Sequence, residues 1–199
     1  NGKVGSPEYG GFVMGAGFTN SSSRIPKVSG TTHITVNEAP YECTGDYQYG
    51  SFSYEGMRSI NGIFGGGFNY TGDENTEIII NADMGAVPVY GGGFLQNCGG
   101  DTNITVYGSA DSVYAGGKNA GIEAGNIGGN ATITLSGSGQ VTNIYGHEYN
   151  GQEDSVTGIA AAVFSQNGSA KQPNAGVNRI INMDQVILKI RKIMGSLSM

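Results

Sequence analysis

The sequence predicts an all-β chain, a right-handed parallel β-helix (β-solenoid) with coils of roughly 24–31 residues and irregular flanking loops. The first of three supporting observations is recurrence. A glycine phrase returns as VMGAGF at Val13–Phe18, IFGGGF at Ile63–Phe68, VYGGGF at Val89–Phe94, VYAGGK at Val113–Lys118 and IYGHEY at Ile144–Tyr149. A strand phrase interleaves with it: TTHITV from Thr31, NTEIII from Asn75, DTNITV from Asp101, NATITL from Asn130 and, more loosely, NRIINM from Asn178. Units this short cannot each enclose a core, so they must bury their apolar faces on one another. The second is alternation: Ile34 and Val36, Ile78 and Ile80, Ile104 and Val106, Ile133 and Leu135 recur at period two among Val, Ile, Thr and Tyr. Composition is the third. Glycine supplies 36 of 199 residues, charged residues only 13%, and Trp is absent, which fits neither an ordinary helical domain nor a highly charged disordered one.

In chain order, the phrase at Val13 opens the pattern and the strand from Thr31 follows. The wide gap before Ile63 contains YECTGDYQYGSFSYEGM, dense in glycine and polar residues, which reads as a loop excursion. Residues 62–149 carry the clearest repeats. There the inward pairs Ile78/Ile80, Ile104/Val106 and Ile133/Leu135 are expected to stack in parallel register, one coil on the next. The gap between Asn130 and Asn178 reads as a second excursion through EYNGQEDSVTG. Because His147 and Glu148 stand where earlier phrases have glycines, regular stacking is expected to stop near His147. The C-terminal AGVNRIINMDQVILKIRKIMG favours a strand by its β-branched density; a cap helix over 184–194, with Asp184 as N-cap and Gly195 as stop, is the alternative. With no clear cap at either end, residues 1–199 read as one solenoid segment of a longer protein.

The glycine runs are expected to be corners in which at least one of Gly91–Gly93 and Gly116–Gly117 takes a positive φ. They do not resemble phosphate-binding loops, since no Lys-Ser or Lys-Thr closes them and no helix follows. The two cysteines sit in matching contexts, CTGD from Cys43 and CGGD from Cys98. Their positions argue against a bond: Cys43 follows a strand phrase and Cys98 a corner, which puts them on different sides of a coil.

A net charge of −6 and a pI near 4.8 disfavour nucleic acid, and no apolar run is long enough to span a bilayer as a helix. The catalytic inventory is thin. Neither His33, expected to point outward from its strand, nor His147 lies in a nucleophile motif. Asp73, Glu74 and Asp101 could offer oxygens to calcium, as His147 with Glu148, Glu153 and Asp154 could to a cation, yet no D-x-D-x-D-G loop or nonapeptide array is present. No cofactor or metal is expected. Arg24, Arg58, Arg179 and Arg191 stand beside no acidic cluster, so the paired carboxylates of a glycosidase, or the base and cations of a lyase, are not evident. Outward Thr35, Thr105 and Thr134 align, but Ile79 interrupts the column and weakens an ice-binding reading.

The T-x-I-T-V strands and V-Y-G-G-G corners resemble the glycine-rich repeat regions of large cell-surface, adhesin-like proteins of anaerobic gut bacteria. The resemblance covers roughly Gly62–Tyr149, and two departures stand out: Lys118 replaces the closing aromatic, and His147-Glu148 replaces glycines. It implies an extracellular or cell-surface, non-catalytic repetitive scaffold, with a glycan or a surface protein as partner. If Ile63, Val89, Val113 and Ile144 face inward, alternation turns Phe64, Tyr90, Tyr114 and Tyr145 outward as an aromatic ladder, the candidate ligand-binding residues. The alternative ladder reading is structural, the rings stabilising successive coils. The rival function is a carbohydrate-active β-helix enzyme, a polysaccharide lyase or glycosidase.

Overall fold

A computed structural model describes residues 10–18, 28–42, 58–68, 72–95, 98–118 and 129–145 in full, and the backbone alone of Asn119. It describes the backbone alone of the short strands at 47–49, 52–54, 147–149, 152–154, 160–164, 169–173 and 179–180. Among the described residues there is no helix. The chain begins with β1 (Gly11–Met14) and β2 (Thr31–Val36), then makes an antiparallel hairpin of β3 (Tyr47–Tyr49) and β4 (Phe52–Tyr54). Next come β5 (Ile60–Phe64), β6 (Asn75–Ile80), β7 (Val89–Tyr90), β8 (Thr102–Val106), β9 (Ser109–Tyr114) and β10 (Lys118–Asn119). They are followed by β11 (Ala131–Leu135), β12 (Gln140–Tyr145) and a second antiparallel hairpin, β13 (His147–Tyr149) with β14 (Gln152–Asp154). The last strands are β15 (Ala160–Phe164), β16 (Ser169–Pro173) and β17 (Arg179–Ile180).

Two six-stranded, wholly parallel sheets carry the architecture. One is ordered β1-β5-β7-β9-β12-β16 and the other β2-β6-β8-β11-β15-β17. From β5 to β9 the chain alternates between them. Each strand therefore pairs with its counterpart one repeat away, and equivalent residues superpose. Ile34, Ile78, Ile104 and Ile133 form one column and Val36, Ile80, Val106 and Leu135 the next. From the other sheet come Val13, Ile63, Val89, Val113 and Ile144. Buried members of both sets join one hydrophobic core, with Val13 packed at its margin. The expected parallel stacking of Ile104 and Val106 is thus observed.

Side chains continue the register beyond the core. The Asp101 amide donates to Asn75 Oδ1 at 2.8 Å and the Asn130 amide to Asp101 Oδ1 at 2.7 Å, so strand starts are tied by an Asn/Asp ladder. On the outer face His33 points outward, as expected, and its Nδ1 lies 2.6 Å from Glu77 Oε2. The threonine column is broken where expected, running Thr35, Ile79, Thr105, Thr134.

Three expectations need correction. The first excursion contains the β3–β4 hairpin, but the second gap holds more than its β13–β14 hairpin, because β15 and β16 continue both sheets. Regular pairing therefore does not stop near His147. Their sequences, AAAVF and SAKQP, lack the phrases that mark the other strands, so only the backbone register reveals them. The corners do not use positive φ either. Among the described residues it belongs to Gly30, Gly85, Gly137 and Leu95, all outside the Gly91–Gly93 and Gly116–Gly117 runs. What glycine provides there is the missing Cβ. A Cβ at Gly65 would strike the Gly91 carbonyl oxygen, and one at Gly91 the Ala115 carbonyl oxygen. Backbone pairing passes straight through the bend, with Gly65 N–H donating to Tyr90 O, Gly66 N–H to Gly92 O and Phe94 N–H to Gly67 O. The question of strand or helix at 184–194 lies outside the described residues.

Candidate functional site

The predicted aromatic ladder forms. Strand register sets Phe64 beside Tyr90, Tyr90 beside Tyr114, and Tyr114 beside Tyr145. Ring centroids lie 4.8, 4.4 and 4.6 Å apart with interplanar angles of 1°, 13° and 14°. Those distances match the spacing of hydrogen-bonded strands, so the rings stack because their backbones do. The four rings stay outside the central core cluster, as alternation requires.

Their exposure differs from expectation. Phe64 is 2% and Tyr90 1% exposed, so these two do not line an open face; Tyr114 and Tyr145 are half-buried. The cause is a second column, made by the residue that closes each glycine phrase. Phe18, Phe68 and Phe94 stack at 4.7 and 5.1 Å, and Lys118 continues the column by a parallel bridge to Phe94. Each bend folds the chain back, so that Phe94 meets the Phe64 ring edge-on at 5.5 Å and the Lys118 ammonium lies 5.8 Å from the Tyr90 ring centre. Lys118 thus replaces an aromatic with a cation over a ring face. Phe12 reaches Phe64 from the other flank at 6.0 Å.

Behind the corners lies a feature that the sequence reading missed. Thr32, Thr76 and Thr102 point inward and donate through Oγ1 to the carbonyls of Gly65, Gly91 and Ala115 at 2.7, 2.6 and 2.7 Å. Each hydroxyl ties the start of a strand in one sheet to the bend that leaves the other. Period two extended back from Ile34, Ile78 and Ile104 would have found them; in β11 Ala131 takes the position.

The remaining candidates scatter. Cys98 is a free, buried thiol, while Cys43 lies outside the described residues. Burial and then the nearby Glu74 carboxylate push the Cys98 thiol up to about 12, although a hydrogen bond with the Gly93 backbone pulls the other way. Glu74 is itself fully buried, whereas Asp73 and Asp101 are exposed. Asp83 accepts from the Ser109 hydroxyl at 2.6 Å and the Gly85 amide at 2.9 Å, which hold its carboxyl below the usual range. In the second hairpin His147 pairs with Asp154 and Glu148 with Glu153 through the backbone. Among the described residues no three His, Cys, Asp or Glu side chains gather as a metal site, and no helix is long and apolar enough to cross a membrane. Comparison with protein families, with curated proteins and with solved structures finds no match.

Proposed function

We propose that this chain is a right-handed parallel β-solenoid segment of an extracellular, adhesin-like surface protein. It acts as a non-catalytic repetitive scaffold, and Tyr114 and Tyr145 contact a glycan or a partner protein. The observation that carries the reading is the column register: equivalent residues of successive repeats superpose in two parallel sheets over one core. Such a stack keeps its shape through nearest-neighbour contacts and needs no ligand. Right-handed crossovers are the ordinary connection between parallel strands of one sheet. The surface location rests on the resemblance of the repeat phrases to adhesin-like repeat regions and on the acidic, glycine-rich composition.

Within this reading the aromatic column has two parts. Phe64 and Tyr90 are roofed and hold coils together, while the half-buried Tyr114 and Tyr145 keep part of their side chains accessible to a ligand. Flat amphipathic rings give large contact area at small conformational cost, which suits sugar rings and protein surfaces alike. Glycan-array and cell-adhesion measurements on the wild type and the Tyr114→Ala/Tyr145→Ala double variant test it. Loss of binding by a variant with an unchanged circular dichroism spectrum is expected, with little salt dependence in the wild type. Equal binding by both proteins rejects these tyrosines as the site, and release of reducing ends from a polysaccharide by the folded chain overturns the non-catalytic reading.

A further inference from the structure

We propose that the β3–β4 hairpin is a second binding platform, separate from Tyr114 and Tyr145, and that its ligand is a neutral glycan. Tyr47 pairs with Tyr54, Gln48 with Ser53 and Tyr49 with Phe52 in an antiparallel ladder. Directly paired residues of such a ladder share a face, and so do residues two apart on one strand. Tyr47, Tyr49, Phe52 and Tyr54 therefore occupy one face of the hairpin, and Gln48 and Ser53 the other. The aromatic residues form a two-by-two array, about 5 Å apart across the strands and about 7 Å along them.

The stack carries this hairpin without absorbing it. Among the described residues β3 and β4 form a two-stranded sheet of their own and join neither six-stranded sheet. The excursion is pinched at its base. There the Ser59 amide donates to the Tyr41 carbonyl at 2.8 Å, the Tyr41 amide donates to Ser59 Oγ at 3.1 Å, and Glu42 bridges Arg58 in the antiparallel sense. The base and hairpin pairings continue one another with a one-residue offset. Arg58 fixes the base to the stack, because its guanidinium lies against Gly85 in the space a side chain would take.

The composition of the hairpin selects the ligand. Residues 47–54 read YQYGSFSY, with no charged residue and no aliphatic one. Protein interfaces draw on Arg and Met beside their aromatics, and neither occurs here. A sugar ring instead presents flat C–H faces edged by hydroxyls, which suit an aromatic array flanked by phenol, amide and hydroxyl groups. The array has the scale of consecutive pyranose rings. A net charge of −6 on the chain disfavours an acidic polysaccharide, so the complementary glycan is uncharged. A two-stranded hairpin is marginal by itself in water, and a ligand laid across both strands also orders it.

Titration calorimetry on the full chain tests the proposal, with gluco-, manno-, galacto- and xylo-oligosaccharides as neutral probes and polygalacturonate as the charged one. A neutral probe should bind and polygalacturonate should not. Tyr47→Ser/Tyr54→Ser should weaken that binding by about tenfold or more with an unchanged circular dichroism spectrum, whereas Gln48→Ala/Ser53→Ala, on the other face, should leave it within about twofold. Made in the Tyr114→Ala/Tyr145→Ala background, the same variants read the hairpin alone, so failure here is distinguishable from failure of the other site. Nitration by tetranitromethane needs no variant: Tyr47, Tyr49 and Tyr54 should react in the native chain and be shielded by the bound oligosaccharide. Resistance of these tyrosines without ligand, which would put the face against the stack, overturns the proposal. So does binding of no neutral probe, equal binding by the Tyr47→Ser/Tyr54→Ser variant, or hairpin-dependent cell adhesion that survives enzymatic removal of the cells' glycans, which would make the ligand a protein.

Discussion

A carbonyl turned into a tight bend must find a donor or carry the cost of burial, and Thr32, Thr76 and Thr102 supply one inside the coil. Cys98, at the same bends, shows how little room remains: its Sγ would crowd any Cβ placed on Gly66. With the thiol raised from 9.0 to about 12, the folded chain holds this proton more tightly than the unfolded chain does. The sign follows directly. Below the unfolded value both states carry the proton and stability is independent of it; above, the unfolded state ionises first and stability falls until the folded thiol also titrates. Urea midpoints should therefore decline between about pH 9 and 12, by at most roughly 1.4 kcal/mol per pH unit from this group, and Cys98→Ala should flatten that part of the profile. A profile identical in wild type and variant would remove Cys98 as the cause. The same protonation makes the native thiol slow toward iodoacetamide until denaturant is added.

Strands and corners are built on different constraints. A strand here needs alternation, and NTEIII, DTNITV and NATITL supply it in sequence. A corner needs the absence of a side chain at one face, because the neighbouring repeat places a carbonyl where the Cβ would sit. Gly91 and Gly30 separate this requirement from backbone strain. Gly30 has φ of 95° with open space around it, whereas Gly91 has no left-handed φ and faces Ala115 O and Thr102. Alanine at Gly30 should thus cost about 1 kcal/mol from conformation alone. Alanine at Gly91 forces the next corner to move and should cost about 1–3 kcal/mol or more. Urea denaturation of the two variants checks the order; a smaller loss at Gly91 would show that the corners have slack. The β3–β4 hairpin is an insertion between repeats, whereas β13 stays in the stack, pairing parallel with β10 so that Glu148 follows Lys118 in register, and only β14 folds back antiparallel on it.

At the scale of the molecule, each repeat is stabilised by the two that flank it, so damage should spread along the stack. Ile104 lies between Ile78 and Ile133 and is 1% exposed. Ile104→Asp would bury an unpaired charge there, a loss of about 4 kcal/mol or more. Hydrogen exchange should show amides of β6 and β11 losing protection together with those of β8; loss confined to β8 would contradict cooperative stacking. The fused aromatic columns run along the same direction, each stacked pair worth about 0.5–1.5 kcal/mol beyond its buried area.

The sequence by itself determined the β class, the strand phrases, the parallel register of Ile78, Ile104 and Ile133, the existence of the Phe64–Tyr145 ladder and the outward face bearing His33. All of these follow from period-two alternation repeated at a coil length, which is local information. Tertiary structure alone decided that Phe64 and Tyr90 are covered, because Phe94 meets the first ring and Lys118 the second after the chain has bent back. It also decided that the glycines answer to a neighbouring carbonyl rather than to φ, and that Ala160–Phe164 and Ser169–Pro173 extend the sheets. Each depends on what the next repeat places in space, and no window of sequence shorter than a coil contains that information.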